Sequence, residues 1–218
     1  MNDLWRRSGR LLWVGVALSL CLLLVTLILV ALKSRAGIAK SLPVYGQIAD
    51  FTLTNQNGRA VSLANFRGRV WVADVIFTRC AGPCLKMSRQ MKDLQESLPP
   101  KSQAKLVTLT TDPDFDTPSV LNAYAKRFGA DNERWIFLTG PKQAIMNVAI
   151  DSLKLTAIEK KPEERESPQD LFIHSTIFVL VDKRGQLRGV FETSGEGVEP
   201  LEMKQQIISA VKRLEREA

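Results

Sequence analysis

Two cysteines, Cys80 and Cys84, are separated by Ala81-Gly82-Pro83. Ahead of them Val70, Val72, Val75, Ile76 and Phe77 form a short run rich in β-branched residues. Such a run predicts a strand covered on both faces. Behind them Cys84, Met87, Met91, Leu94 and Leu98 recur at helical spacing, one apolar face of a helix. Pro83 suits the first turn of that helix, where a missing N–H costs nothing. The cysteines therefore belong to a strand-to-helix turn. A helix N-terminus carries about half a positive charge and favours a thiolate. Two sulfurs on one side of it could close a disulfide or hold a soft metal ion such as Cu(I). Two buried cysteines that never react are the plain alternative.

Three other groups of residues could take part. Asp74 lies within the apolar strand, where a carboxylate is costly unless partnered. It is a candidate proton relay for thiol exchange or metal loading, with a raised pKa. The alternative is a structural hydrogen bond to nearby backbone or an arginine. Met87 and Met91 carry thioethers, but their spacing puts them on the core stripe. Asp112, Asp114 and Asp116 crowd a loop dense in turn formers. They read as turn and helix-cap residues rather than ligands of a hard cation.

These groups must be positioned by a domain large enough to have a core. The chain has 218 residues. Residues 1–10 form a short basic tail with Arg6, Arg7 and Arg10. The uncharged run 11–32 follows, long enough at ~1.5 Å per residue to cross a ~30 Å hydrocarbon layer. It predicts a transmembrane anchor, with Cys21 an apolar residue inside it. Residues 33–46 read as a linker and 47–218 as one α/β domain. Basic residues flank the anchor equally on both sides, so charge does not set its orientation. A short tail before a large domain, and a cysteine pair with redox work to do, place the domain on the extracytoplasmic (periplasmic) side of the inner membrane. Six of 30 Lys/Arg and one of 23 Asp/Glu fall in residues 1–41, leaving the domain nearly neutral. That balance gives no basic stripe for nucleic acid.

Along the domain, Asp50–Thr54 and Arg59–Leu63 flank the hairpin signal Asn57-Gly58, a β-hairpin ahead of the core. Lys105–Thr111 is a strand, Thr117-Pro118 opens a helix to Phe128, and Trp135–Thr139 is a strand. Pro141 begins a helix to about Leu153. Residues 159–170 read as a charged surface loop, a possible lid. Ser175–Asp182 and Gln186–Thr193 form an antiparallel pair. A last helix over Glu199–Arg216 directs Leu201, Ile207, Ile208, Val211 and Leu214 inward. This order, with a reactive motif between the first core strand and its helix, predicts a thioredoxin-like α/β fold.

The motifs then identify a family. Phe77-Thr-Arg-Cys80-x-x-x-Cys84 resembles the F-T-x-C-x-x-x-C motif of the Sco/SenC family, membrane-anchored thioredoxin-fold proteins of cytochrome c oxidase copper assembly. Thr111-Asp112-Pro-Asp-Phe-Asp116-Thr-Pro118 resembles its D-P-x-x-D-T-P segment, and His174-Ser175, opening a strand, its third motif. The resemblance implies a copper site on Cys80, Cys84 and His174, the chain's single histidine. It implies as partner the copper-bearing subunit of cytochrome c oxidase, or another copper or thiol protein. Two thiolates and an imidazole suit copper. The acidic residue that many members carry between the cysteines is absent, and Ile173 stands where an Asp often precedes the histidine. Asp170 is close enough in sequence to replace it. The same cysteines could instead serve an extracytoplasmic thiol–disulfide reductase, Cys80 attacking and Cys84 resolving. Peroxide reduction through a sulfenic acid is a third reading.

Overall fold

The computed structural model describes residues 13, 15–30, 41–80, 82–165 and 171–217, with the backbone alone at 157 and 174. The chain divides into two units, Met1–Ser41 and Leu42–Ala218. In the first, residues 15–30 form helix α1. The hydroxyls of Ser19 and Thr26 turn back onto the helix, donating to the carbonyls of Gly15 and Leu23. Residues 11, 12, 14, 31 and 32 of the expected anchor, the tail 1–10 and linker residues 33–40 lie outside the described residues. Among the described residues no helix is long and apolar enough to cross a membrane.

The second unit is built on a sheet of eight strands: β1 (Gly46–Gln47), β2 (Thr52–Asn55), β3 (Ala60–Ser62), β4 (Trp71–Ile76), β5 (Lys105–Thr110), β6 (Trp135–Thr139), β9 (Ile177–Val181) and β10 (Gln186–Glu192). Their order is β1-β10-β9-β4-β5-β6-β2-β3. β4, β5 and β6 run parallel, and β9 lies antiparallel against β4. Every residue of β4 is buried, Asp74 included, as a strand covered on both faces would be. Because side chains alternate along a strand, its two faces feed two cores. Val72 and Ile76 join one with α2 (Pro83–Ser97), α3 (Pro118–Arg127) and α5 (Pro200–Arg216). Trp71, Ala73 and Val75 join the other with α4 (Lys142–Met146), the π-helical turn Asn147–Ser152 and the β2–β3 hairpin. Asp74 alternates onto the α2 side. The architecture is a three-layer α/β fold of the thioredoxin type.

Four expectations need correcting. The hairpin is not ahead of the core: β2 pairs antiparallel with β6 and completes one end of the sheet. Gly46, read as the last linker residue, pairs together with Gln47 against β10 at the other end. The helix after Pro141 ends as α-helix at Met146 and widens to π; there Val148, Ala149 and Leu153 all reach the core, which a regular α turn would spread over two faces. In α5 the inward stripe is Met203, Ile207, Ala210, Val211 and Leu214, while Leu201 is 61% exposed. Leu201 lies in the first turn, off that stripe.

α3 begins on Thr117, whose Oγ accepts from the Val120 amide at 3.4 Å, with Pro118 behind it. The bond is long, so Thr117→Ala will cost about 0.5–1 kcal/mol, read as a lower urea midpoint with unchanged slope.

Candidate functional site

β4 ends at Ile76, and Phe77–Cys80 is a turn closed by the Cys80 amide donating to the Phe77 carbonyl at 3.2 Å. Gly82 caps α2, Pro83 takes its first position and Cys84 its second. Cys80 and Cys84 are both thiols, with side chains that interact. Cys84 is wholly buried and Cys80 is 8% exposed, so both lie inside the domain, with Cys80 the nearer to solvent. Burial, and then Cys80 beside it, push the Cys84 thiol far above the ordinary range, against a backbone hydrogen bond from Phe77; Asp74 adds to the rise. The helix N-terminus was expected to favour a thiolate. At Cys84 desolvation outweighs it.

Beneath the pair lies a buried polar cluster. Asp74 is fully buried, and its Oδ1 accepts from Thr108 Oγ1 at 2.7 Å. Thr108 Oγ1 in turn accepts from the Trp135 indole N–H at 2.9 Å. Tyr124 Oη and Ser88 Oγ are 2.9 Å apart. Burial raises the Tyr124 pKa, opposed by Ser88 and reinforced by Cys84, Asp74 and Cys80. Sequence reasoning singled out Asp74 but not Ser88 or Tyr124. The helical spacing of Ser88 beside Met87 and Met91 was the available signal. Met87 and Met91 are core residues.

A second set grips the turn from outside. Asp116, fully buried, accepts from the Thr78 amide at 3.1 Å, from the Thr78 hydroxyl and from the Thr110 hydroxyl. Burial raises its pKa despite these three bonds. Asp112 pairs with Arg79 at 2.5 Å, and the Arg79 guanidinium sits 4.2 Å over the Phe115 ring, a cation–π contact. The Asp112 carbonyl does serve a turn, accepting from the Phe115 and Asp116 amides. The helix cap, however, is Thr117, not an aspartate.

His174 was expected to open the core strand. Instead β8 (Phe172–His174) ends with it and pairs with β7 (Ala157–Glu159) in a separate two-stranded ribbon, His174 opposite Ala157. β9 starts afresh at Ile177, after the Thr176 carbonyl has accepted both the amide and hydroxyl of Thr193. Of the segment 159–170 read as a loop, Glu159 ends β7 and Pro162–Glu164 is a 3₁₀ turn, while 166–170 lie outside the described residues. Leu171 and Phe172 anchor the ribbon in the core that holds both cysteines. The Phe172 ring is 5.1 Å from that of Phe77. His174 is two positions on from Phe172. Its side chain, Ala81 and Asp170 lie outside the described residues. Among the described residues no three of His, Cys, Asp or Glu converge as a metal cluster.

A dithiol at the turn between the first parallel strand and its helix, over a buried carboxylate, defines a thioredoxin-like thiol domain. The family model for SCO1/SenC matches residues 43–212, and the chain belongs to that family. It is 37% identical over 147 residues to the SCO1 protein homolog of Bacillus subtilis, spanning 66% of this chain and 73% of that protein. The structure of BsSco, a member of the Sco family of cytochrome c oxidase assembly proteins in which a disulfide switch was identified, superimposes with a TM-score of 0.67 and 32% identity over 82% of this chain and all of that one. Yeast Sco1 with copper bound shares the fold, at a TM-score of 0.63 and 21% identity over 77% and 89% of the two chains.

Proposed function

We propose that this chain is a copper-binding assembly factor that holds Cu(I) through Cys80, Cys84 and His174 and passes it to the copper-bearing subunit of cytochrome c oxidase. The observation that carries this reading is the pair of neighbouring thiols at the strand-to-helix turn, Cys84 wholly buried and Cys80 the nearer to solvent. Two adjacent soft donors fit Cu(I). Copper is the cargo rather than a resident cofactor. The copper-bound yeast relative and the oxidase-assembly role of BsSco agree with it. His174 is taken as third ligand because the resemblance to the family's copper site implies it, and Phe172, two positions before it, packs against Phe77 beside the cysteine turn. Residues 11–32 anchor the chain in the inner membrane with residues 47–218 on the extracytoplasmic side. The test is anaerobic Cu(I) titration of the reduced full-length chain in detergent. One ion binds per chain, and His174→Ala weakens binding at least about tenfold. Binding indifferent to His174 would remove it from the site.

A second reading rests on the asymmetry of the pair. Cys80 as thiolate attacks a partner's disulfide and expels one partner thiolate; Cys84 then attacks Cys80, releasing the second and leaving a Cys80–Cys84 disulfide. In this reading Asp74, below Cys84, accepts the Cys84 proton. Weak copper binding together with turnover of a protein disulfide would favour it.

A further inference from the structure

The turn that presents Cys80 has only two central residues, Thr78 and Arg79, and a carboxylate from the β5–α3 loop holds each of them. Asp116 takes both donors of Thr78, amide and hydroxyl. Asp112 takes the Arg79 guanidinium, through Nε at 3.1 Å and Nη2 at 2.5 Å. Thr110 joins the two holds: its hydroxyl donates to Asp116 and accepts from the Asp112 amide at 3.0 Å. Thr111 continues the strand pairing past the end of β5, its amide donating to the Ile76 carbonyl at 2.8 Å. Cys84 needs no such support, because α2 and the core fix it. Cys80 depends on the turn.

We propose that Asp116 is a positioning residue for the thiol pair: by locking Thr78 it holds the Cys80 sulfur within reach of Cys84. A buried carboxylate with three donors is a poor choice for a mere turn, where an exposed Asp or Asn would do. Here three hydrogen bonds converge on it, and even together they only partly offset its desolvation. The benefit is preorganisation: a sulfur already placed loses little freedom when it bonds to its neighbour, so the intramolecular bond has a high effective concentration. The inference rests on the dithiol reading of the site and is independent of copper.

The readout is therefore the thiol–disulfide equilibrium of the metal-free full-length chain in glutathione buffers, with Cys21→Ala as background. One glutathione disulfide oxidises the pair to a Cys80–Cys84 disulfide and leaves as two glutathione thiols. Asp116→Ala removes all three bonds and is expected to move the equilibrium about tenfold toward the dithiol. Asp116→Asn keeps an acceptor for Thr78 and is expected to move it less than about threefold. Thr78→Val, which retains the amide donor, reads the same effect if Asp116→Ala does not fold, at about threefold. A folded Asp116→Ala protein with an equilibrium within twofold of the parent overturns the proposal, as does an unmoved Thr78→Val. Variants that lower the melting temperature without moving the equilibrium overturn it too, because the role is then structural only. If the parent itself forms no disulfide, the dithiol reading falls and takes this proposal with it; a parent that oxidises while its variants do not differ sinks the positioning role alone.

Discussion

Reduced protein carrying Cys21→Ala, treated with iodoacetamide at pH 8, will be alkylated at Cys80 at least about 100-fold faster than at Cys84. The attacking species is the thiolate, and each unit by which a thiol's pKa rises removes tenfold of it. Burial holds the Cys84 proton far above the pH of the experiment, and no face of Cys84 reaches solvent. Peptide mass spectrometry over a time course separates the two sites. The causes can be separated as well. Burial is the largest and Cys80 the next, so Cys80→Ser leaves Cys84 unreactive. A Cys84 that becomes reactive in Cys80→Ser would mean that its neighbour, not the core, had suppressed it. Equal rates in the parent protein would refute the core-to-surface asymmetry on which an attacking and a resolving cysteine depend.

Arg188→Met is expected to cost about 3–5 kcal/mol of folding stability. Arg188 sits where the pairing of β10 with β9 slips between Leu187 and Gly189. Such an irregularity re-aims a side chain, and here it turns a guanidinium inward. Arg188 Nη1 meets Asp182 at 2.6 Å, both side chains buried. Its other nitrogens donate to the carbonyls of Leu42 and Pro43 and to Glu217. Burial alone would lower the Arg188 pKa, but Asp182 and Glu217 raise it overall. Methionine fills the space and removes every donor. Asp182 would then keep a buried charge with one oxygen stripped of its cation, its other oxygen still accepting from the Arg184 and Gln186 amides. Chemical denaturation of the full chain measures the loss, and a value under about 1 kcal/mol would show that solvent reaches Asp182. Arg188→Lys will recover less than half, since one ammonium cannot span partners arranged for a planar fork.

What could be read without coordinates follows a physical division. β4, α2 and α3 were legible because their signals are local: an apolar run, a 3–4 stripe, and Thr117-Pro118 at a helix start. The cysteine turn was legible for the same reason. Long-range pairing was not. Nothing near Asn57-Gly58 says that β2 will lie against β6, and nothing in Gly46–Gln47 announces β10 as its partner. His174 was placed at the head of the core strand because His174-Ser175 resembles a family motif that opens a strand, with the apolar run from Ile177 just behind it. The break at Ser175-Thr176 depends on Thr193, far along the chain. Asp116 was hidden by its own credentials. An aspartate beside Thr-Pro is a good turn or cap residue, and its half-buried partner Thr78 comes from another strand's end. At Cys84 two opposing effects were both foreseeable in kind. Only packing could tell that desolvation exceeds the helix dipole.

The position of β4 in the sheet also bears on how the chain assembles. On one side it pairs with β5, which is made next; on the other it pairs with β9, Trp71 opposite Val181. The β4–α2–β5–α3–β6 portion can form from neighbouring segments as they appear, but the β9 side of the strand leading to the thiols has no partner until nearly the whole domain has been synthesised. Contacts so distant in sequence form late and slowly. Until then β4 presents an open apolar edge, the kind of surface through which incomplete chains associate wrongly. The order of synthesis and the order of the strands are thus at odds, and the domain closes around its reactive turn only near the end of its own production.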